Sequence, residues 1–144
     1  MFTSYNRTTA GRRLPASMAY QAVHIESQIG GDSTPHRLVS MLFDGLMESI
    51  AQAKGAILTQ QLDPKLKAIT RAINIVEEGL RGNLDMKAGG KLSADLHDLY
   101  GYVSARLMHA NVHNDAEALD ECVRLIQPIK DAWNQIAPAA QIHS

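Results

Sequence analysis

The stretch LSADLHDLYGYVSARLMHANVHND, residues 92–115, decides the fold of this chain. Its apolar residues recur every three or four positions, which places them in one stripe along one face of an α-helix. Asn114 and Asp115 are residue types that end one helix and cap the next. A stripe this regular needs burial against other helices, so the stretch predicts one member of a helical bundle. The predicted core stripe comprises Leu92, Leu96, Leu99, Val103, Leu107 and Ala110.

Two further helices are predicted before this stretch, each from a capping residue followed by proline. Thr34-Pro35 supplies a hydroxyl cap and a proline at the first helical position, and the helix should run to about Gln60. Asp63-Pro64 repeats the signal and should open a helix that runs to about Leu84. The core stripe of this later helix is predicted at Leu66, Ile69, Ile73, Val76 and Leu80.

The last helix should begin at the Asp115 cap, and Pro128 inside it should kink the backbone or remove one hydrogen bond. Residues 18–29 have a narrow apolar stripe, which predicts a short accessory helix. Four helices joined by short connections favour an all-α fold, an antiparallel four-helix bundle with an N-terminal accessory helix. The predicted division of the chain is a flexible arm over 1–17, a helical-bundle domain over 18–137 and a frayed tail over 138–144.

Composition and charge exclude several classes of function. The chain has 144 residues and a net charge of −1, so it lacks the basic excess that nucleic-acid binding requires. A single cysteine, Cys122, excludes an internal disulfide and fits a reducing compartment. No apolar run approaches the roughly 18 residues of a membrane span. We therefore expect a cytosolic protein without a nucleic-acid partner.

The residue types that carry chemistry do not form a recognisable reaction centre. His109 and His113 are four residues apart, a spacing that can place two imidazoles on one helix face for a metal. No third ligand stands at metal-binding spacing, so a surface pair of histidines is the favoured interpretation. No phosphate-binding loop or dinucleotide motif occurs. We expect no enzyme activity, cofactor, metal or small-molecule substrate.

Four small or apolar residues lie opposite the predicted core stripe of the helix that opens at Asp63-Pro64. A line of this kind, in place of the usual charged residues, predicts a shallow outward groove in which another helix can lie. The pattern leaves the occupant open, because a partner protein, the accessory helix or a second copy of the chain would each fit. The line consists of Ala68, Ala72, Ile75 and Gly79.

Polar residues flank the core stripe of the opening stretch. Tyr102 and Arg106 lie on one side of the stripe, one turn apart, while Tyr100 lies on the other, and Asn111 follows one turn after Arg106. Such side chains can hydrogen-bond the backbone of an incoming segment, so Tyr102, Arg106 and Asn111 are candidate partner contacts. The alternative is that Arg106 pairs with an acid on a neighbouring helix and Tyr102 only packs.

Taken together, five segments of the chain resemble the FliS family of flagellar secretion chaperones, which bind flagellin. They occur in family order across about residues 19–137, and the PHxLxxMLFDG and LYxYxxxRLxxAN patterns among them are specific in combination. The segments are AYQAVHIES at 19–27, TPHRLVSMLFDG at 34–45, KAITRAINIVEEGLRGNLD at 67–85, GGKLSADLHDLYGYVSARLMHANVHND at 89–115 and DAW at 131–133.

The resemblance implies a cytosolic, non-catalytic bundle that holds the C-terminal segment of newly made flagellin. It further implies that premature polymerisation is prevented and that flagellin is delivered to the type III export gate, where FlhA receives the loaded chaperone. Tyr20 matches a family tyrosine that is tied to engagement of the gate. The pattern-based alternative is a non-catalytic bundle that homodimerises through the outward apolar line. The predicted client-binding residues are Tyr20, Ala68, Ala72, Ile75, Gly79, Tyr102, Arg106 and Asn111.

Overall fold

The computed structural model describes residues 34–142, with side chains described for residues 34–136. This part of the chain is all-helical and contains no strand, which confirms the predicted fold class. None of its helices is long and apolar enough to cross a membrane. The predicted arm over 1–17 and the accessory helix over 18–29 lie outside the described residues. The elements are α1 (Pro35–Leu58), α2 (Leu62–Asn74), a π-helical segment (Ile75–Arg81) that continues α2, α3 (Gly90–His113) and α4 (Ala116–Ile142).

Two of the predicted helix caps are present. The Thr34 hydroxyl oxygen accepts a hydrogen bond from the Arg37 N–H at 3.1 Å and so begins α1. Asp115 Oδ1 accepts from the Ala118 N–H at 3.2 Å and begins α4. Between α3 and α4, Asn114 adopts a left-handed conformation with φ 51°, which asparagine tolerates better than most residues. Local sequence chemistry therefore sets both of these boundaries.

The third predicted cap is wrong. Asp63 lies inside the first turn of α2, because the helix begins at Leu62 after Gln61, whose side chain makes no capping hydrogen bond. A carboxylate in the first turn still interacts favourably with the positive end of the helix dipole. At the other end of the chain, α4 is continuous through Pro128 to Ile142, so it extends beyond residue 138, where the frayed tail was predicted to begin.

Polar contacts between α1 and α4 establish that these two helices run antiparallel. Near the start of α1, the His36 ring stacks on the Trp133 ring with centroids 4.5 Å apart. The Trp133 indole N–H also donates to the His36 carbonyl oxygen at 3.1 Å. Near the end of α1, the Lys54 ammonium lies 2.9 Å from Asp120 Oδ1, which is close to the start of α4. Early residues of one helix thus meet late residues of the other.

The core lies between the four helices and is built from aliphatic side chains of every element. Burial of these residues is the main favourable contribution to folding. Cys122 is fully buried among them, and burial raises the pKa of its thiol to about 12. This agrees with its interpretation as a small core residue. The largest fully buried side chains are Phe43, Leu46, Ile50, Ile69, Ile75, Val76, Val103, Leu107, Leu119, Cys122 and Ile126.

The core face of α3 is rotated relative to the predicted stripe. Tyr100, predicted to lie at the edge, is 3% exposed and belongs to the core, and burial raises the pKa of its phenol to about 12. Leu92 is exposed and Leu99 is only partly buried. The reason is that α3 packs against α4 and also against the continuous helix formed by α2 and the π segment, which we call the α2–π unit. The buried face of α3 therefore points between these neighbours, toward Tyr100.

The prediction that Ala68, Ala72, Ile75 and Gly79 face away from the bundle is wrong, because all four are buried. The α2–π unit lies between α1 and α3, so two of its faces are covered. Gly45 of α1 lets the two elements approach closely: a Cβ atom added there would lie 3.1 Å from Arg71 Nη2 and 3.4 Å from Ile75 Cδ1. Conversely, Leu66, predicted as core, is 48% exposed.

Candidate protein-binding surface

Four large apolar side chains are exposed where α2 lies beside α3. Two of them are one turn apart on α2 and two are one turn apart on α3, which places each pair on one face of its helix. Single exposed apolar residues are ordinary, but a cluster on two adjacent helices is typical of an interaction site. We call this cluster the α2–α3 apolar patch. It consists of Leu62 (67% exposed), Leu66 (48%), Met108 (49%) and Val112 (64%).

Lys65 joins the two sides of the patch. Its side chain is buried, and its ammonium donates to the Asn111 carbonyl oxygen at 2.9 Å and to Asn114 Oδ1 at 2.8 Å. Carbonyl groups in the last turn of a helix have no partner within the helix, and a cation there also interacts favourably with the helix dipole. Lys65 therefore fixes α2 against the C-terminal end of α3. Leu62 and Leu66 precede and follow Lys65 closely on α2. Met108 and Val112 do the same around Asn111 on α3. One apolar pair therefore lies on the α2 side of this contact and the other on the α3 side.

Tyr102 and Arg106 meet at a carboxylate on the next helix. The Tyr102 hydroxyl donates to Glu121 Oε2 at 2.6 Å, and Arg106 Nε donates to Glu121 Oε1 at 2.8 Å. The hydrogen bond from Tyr102 is the largest influence that lowers the pKa of Glu121, and the same bond raises the pKa of Tyr102. The structure thus brings the two predicted residues together. The alternative prediction described the pairing of Arg106 with an acid on a neighbouring helix, but it expected Tyr102 only to pack, whereas Tyr102 donates to the same acid.

A second polar cluster joins the π segment to α3. The Glu77 carboxylate accepts from Arg81 Nη1 at 3.2 Å and from the Ser104 hydroxyl at 2.5 Å. A Cβ atom added at Gly101 would lie 2.8 Å from Arg81 Nη2. Glycine at this position therefore leaves the space in which the arginine crosses α3. We interpret the cluster as a structural contact between helices.

The histidine pair on α3 does not form part of a metal cluster. The rings of His109 and His113 are tilted with centroids 4.4 Å apart, and His109 Nε2 lies 3.2 Å from Asp115 Oδ2. Within residues 34–136, no group of three histidine, cysteine, aspartate or glutamate side chains is placed to hold a metal ion. The contact with Asp115 links the end of α3 to the cap of α4.

Comparison with known proteins identifies the family. The profile described as "Flagellar protein FliS" matches residues 16–140. The chain belongs to the FliS family. It is 39% identical over 122 residues to the flagellar secretion chaperone FliS of Salmonella typhimurium, a match that covers 85% of this chain and 90% of that protein. It is 42% identical over 124 residues to the flagellar secretion chaperone FliSB of Pseudomonas aeruginosa, covering 86% and 97% respectively.

A third relative, less similar in sequence than these two, also matches most of the chain. The flagellar secretion chaperone FliS of Bacillus subtilis is 32% identical over 103 residues, which cover 72% of this chain and 75% of that protein. The resemblance found in the sequence motifs is thereby confirmed. The names of these relatives describe a chaperone, a non-enzymatic role, in agreement with the non-catalytic prediction.

The predicted site residues fall into four groups in the structure. Tyr20 lies outside the described residues, and the buried line on the α2–π unit offers no surface. Tyr102 and Arg106 lie together at Glu121, whereas Asn111 lies at the Lys65 contact. Sequence reasoning missed Glu121 and most of the apolar patch. The available signal was the pair of apolar residues Met108 and Val112, spaced by four on the outer side of α3.

Proposed function

We propose that this protein is a cytosolic flagellar secretion chaperone that binds the C-terminal segment of flagellin. In this role it prevents premature polymerisation of flagellin and delivers the subunit to the type III export gate, where FlhA receives the loaded chaperone. The observation that carries the proposal is membership of the FliS family over residues 16–140. The exposed α2–α3 apolar patch supplies a physical basis for holding a client.

The patch fits an amphipathic helical segment better than a small ligand. It runs along two adjacent helices, and its exposed side chains can serve as contacts for a helix laid into the groove between them. When such a client segment binds, its own apolar face is buried against the patch. That face is then no longer available for association between client molecules. The rigid Lys65 contact beneath the patch keeps the groove in place before the client arrives.

We also propose that Tyr102, Arg106 and Asn111 contact the client at the edge of its path, and that Tyr20 acts when the loaded chaperone engages the gate. In the free protein, Glu121 occupies the donors of Tyr102 and Arg106. A client carbonyl group can therefore share these donors only if Glu121 shifts or if a second donor on the same side chain is used. Arg106 has further N–H groups for this purpose.

The test of the patch uses two methionines of nearly equal exposure. Met108 in the patch is 49% exposed, and Met86 in the connection before α3 is 48% exposed. Met108→Glu places an unpaired charge under the bound client and should weaken binding of the flagellin C-terminal segment roughly tenfold or more. Met86→Glu is the matched control and should bind like the unaltered protein. Calorimetric titration measures both affinities, and sedimentation of flagellin polymer measures protection.

Equal affinity of the two variants would remove the patch from the proposed site. Failure of the unaltered protein to bind flagellin or to delay its polymerisation would contradict the proposed function itself. The homodimer that the sequence pattern left open would need the line from Ala68 to Gly79 as its interface. Since these residues are buried within the bundle, that line offers no surface to a second copy.

A further inference from the structure

The outer face of α3 continues the α2–α3 apolar patch toward the start of that helix. Met108 and Val112 of the patch share one stripe with Ala105 and Gly101, because the four positions are spaced i, i+4, i+7 and i+11. Ala105 is exposed like the two larger residues, whereas Gly101 is half-buried. The stripe spans about three helical turns, or roughly 16 Å. A bound helix of that length therefore fits along it.

A guanidinium group lies at the Gly101 end of this stripe. A Cβ atom added at Gly101 would lie 2.8 Å from Arg81 Nη2 and 3.0 Å from Arg81 Cζ, so the group lies directly over the glycine. Arg81 Nη1 donates to both carboxylate oxygens of Glu77, at 3.2 and 3.3 Å. The Ser104 hydroxyl donates to the same carboxylate. The π segment thus holds Arg81 across α3 at one place.

Most of the donors of this guanidinium have no acceptor in the described part of the protein. Arg81 Nε is the one buried side-chain nitrogen or oxygen atom within residues 34–136 that lacks a hydrogen-bond partner. Arg81 Nη2 also makes no hydrogen bond there, and it is accessible to solvent. Arginine has five N–H donors, and polar groups without partners are uncommon in native interiors. These donors point to an acceptor that a bound partner supplies.

The charges around Arg81 favour a neutral acceptor. The Glu77 carboxylate, 3.2 Å away, balances the positive charge of the guanidinium. Asp98, one turn before Gly101 on α3, is exposed and adds a negative charge to this end of the stripe. These acids repel a carboxylate of the client but not a main-chain carbonyl group. The carbonyl groups in the last turn of a helix have no partner within that helix, and a cation there is favourable.

We propose that Arg81 is a client-contacting residue that ends the binding groove, with Nη2 donating to main-chain carbonyl oxygens in the last turn of a client helix. This inference rests on the proposed function and adds one residue and one direction to it. The client helix runs antiparallel to α3, with its first turn beside Val112 and its last turn at Arg81. A helix longer than about three turns would have to displace the guanidinium.

The variant Gly101→Ala tests the contact because it displaces the guanidinium without removing it. The added methyl group would overlap Arg81 Nη2, which is the far end of a flexible side chain and can move aside. Calorimetric titration with the flagellin C-terminal segment should give about tenfold weaker binding. Gly55→Ala is the matched control, since a Cβ atom there meets no atom within 4 Å, and it should bind like the unaltered protein.

A second variant keeps the positive charge at position 81. Arg81→Lys can still pair with Glu77, but its single nitrogen lacks the planar fork that reaches the client, so it should also bind about tenfold more weakly. Both losses should persist at about 1 M salt, because the acceptor is neutral. In nitrogen-15 spectra of the unaltered protein, the Arg81 side-chain N–H signals, assigned by their loss in Arg81→Lys, should shift when the segment binds.

The other outcomes overturn the inference. Unchanged affinity of Gly101→Ala, or of Arg81→Lys, would remove Arg81 from the contact while the proposed function stands. Losses that disappear in concentrated salt would show that Arg81 meets an acidic side chain of the client. Arg81 signals that do not change on binding would make the effect of both variants a structural one. Absence of binding by the unaltered protein would contradict the proposed function together with this inference.

Discussion

Replacement of Ile75 by alanine measures which face of the α2–π unit is buried. Ile75 is 1% exposed and packs against α1 near Gly45. Truncation leaves a cavity between α1 and the π segment, because the surrounding helices relax only partly, and the expected loss is about 2–5 kcal/mol of unfolding free energy. For a chain of this size, each kcal/mol lowers the melting temperature by roughly 2–4 °C. A fall of about 10 °C is therefore expected.

Leu66→Ala is the matched control, because Leu66 lies on the same helix and is 48% exposed. Its truncation should cost less than about 1 kcal/mol, as is usual away from the core. Urea unfolding followed by far-ultraviolet circular dichroism gives both unfolding free energies. If the dependence of the unfolding free energy on urea concentration has the same slope in both variants, only stability differs between them. If Ile75→Ala were no more destabilising than Leu66→Ala, the burial of Ile75 and the packing of α2 described above would be wrong.

Three further predictions concern α3 and α4. Tyr102→Ala and Arg106→Ala should each weaken binding of the flagellin C-terminal segment about five- to tenfold in calorimetry, with a small fall in melting temperature because each loses a contact to Glu121; unchanged affinity in both would remove this edge from the site. The pKa of Glu121 is lowered in the folded state, above all by the hydrogen bond from Tyr102. The ionised carboxylate therefore contributes its full stabilisation at pH values above its unfolded-state pKa of about 4.3, and this stabilisation is lost as the pH falls through the lower folded-state pKa. Glu121→Gln should therefore flatten the acid limb of a plot of urea midpoint against pH, and a limb as steep as before would refute this assignment. Cys122 is fully buried with its pKa raised to about 12, so a thiol reagent at mildly alkaline pH should label it slowly in the native protein and rapidly in urea; rapid native labelling would contradict its burial.

The parts of the fold that local chemistry determines could be predicted from the sequence. Thr34 and Asp115 mark helix starts through side-chain oxygens that accept backbone N–H groups a few residues later, and these signals need no tertiary context. The Thr34-Pro35 pair placed the start of α1 correctly, whereas the Asp63-Pro64 pair predicted α2 but misplaced its first residue. The family motifs, which span most of the chain, added the functional class that helix patterns alone could not supply.

The rotation of each helix about its own axis depends on the helices around it. It could not be predicted from the spacing of apolar residues in that helix alone. A helix between two others has two buried faces, so the apolar stripe and the small residues opposite it are both covered, as at Ile69 and Ala72. The π segment beginning at Ile75 has a wider turn, which shifts any helical wheel extended across it. For the same reason, exposed patch residues such as Leu66 could not be distinguished from core residues.

Light scattering coupled to size-exclusion chromatography tests the central claim most directly. The full chain is measured alone and after mixing with an excess of the flagellin C-terminal segment. The account predicts a complex whose mass equals one chaperone and one client segment. The unaltered protein and Met86→Glu should form it, and Met108→Glu should form a smaller fraction of it at the same concentration. No complex with flagellin, or a constant mass of two chaperone chains with or without the segment, would contradict it.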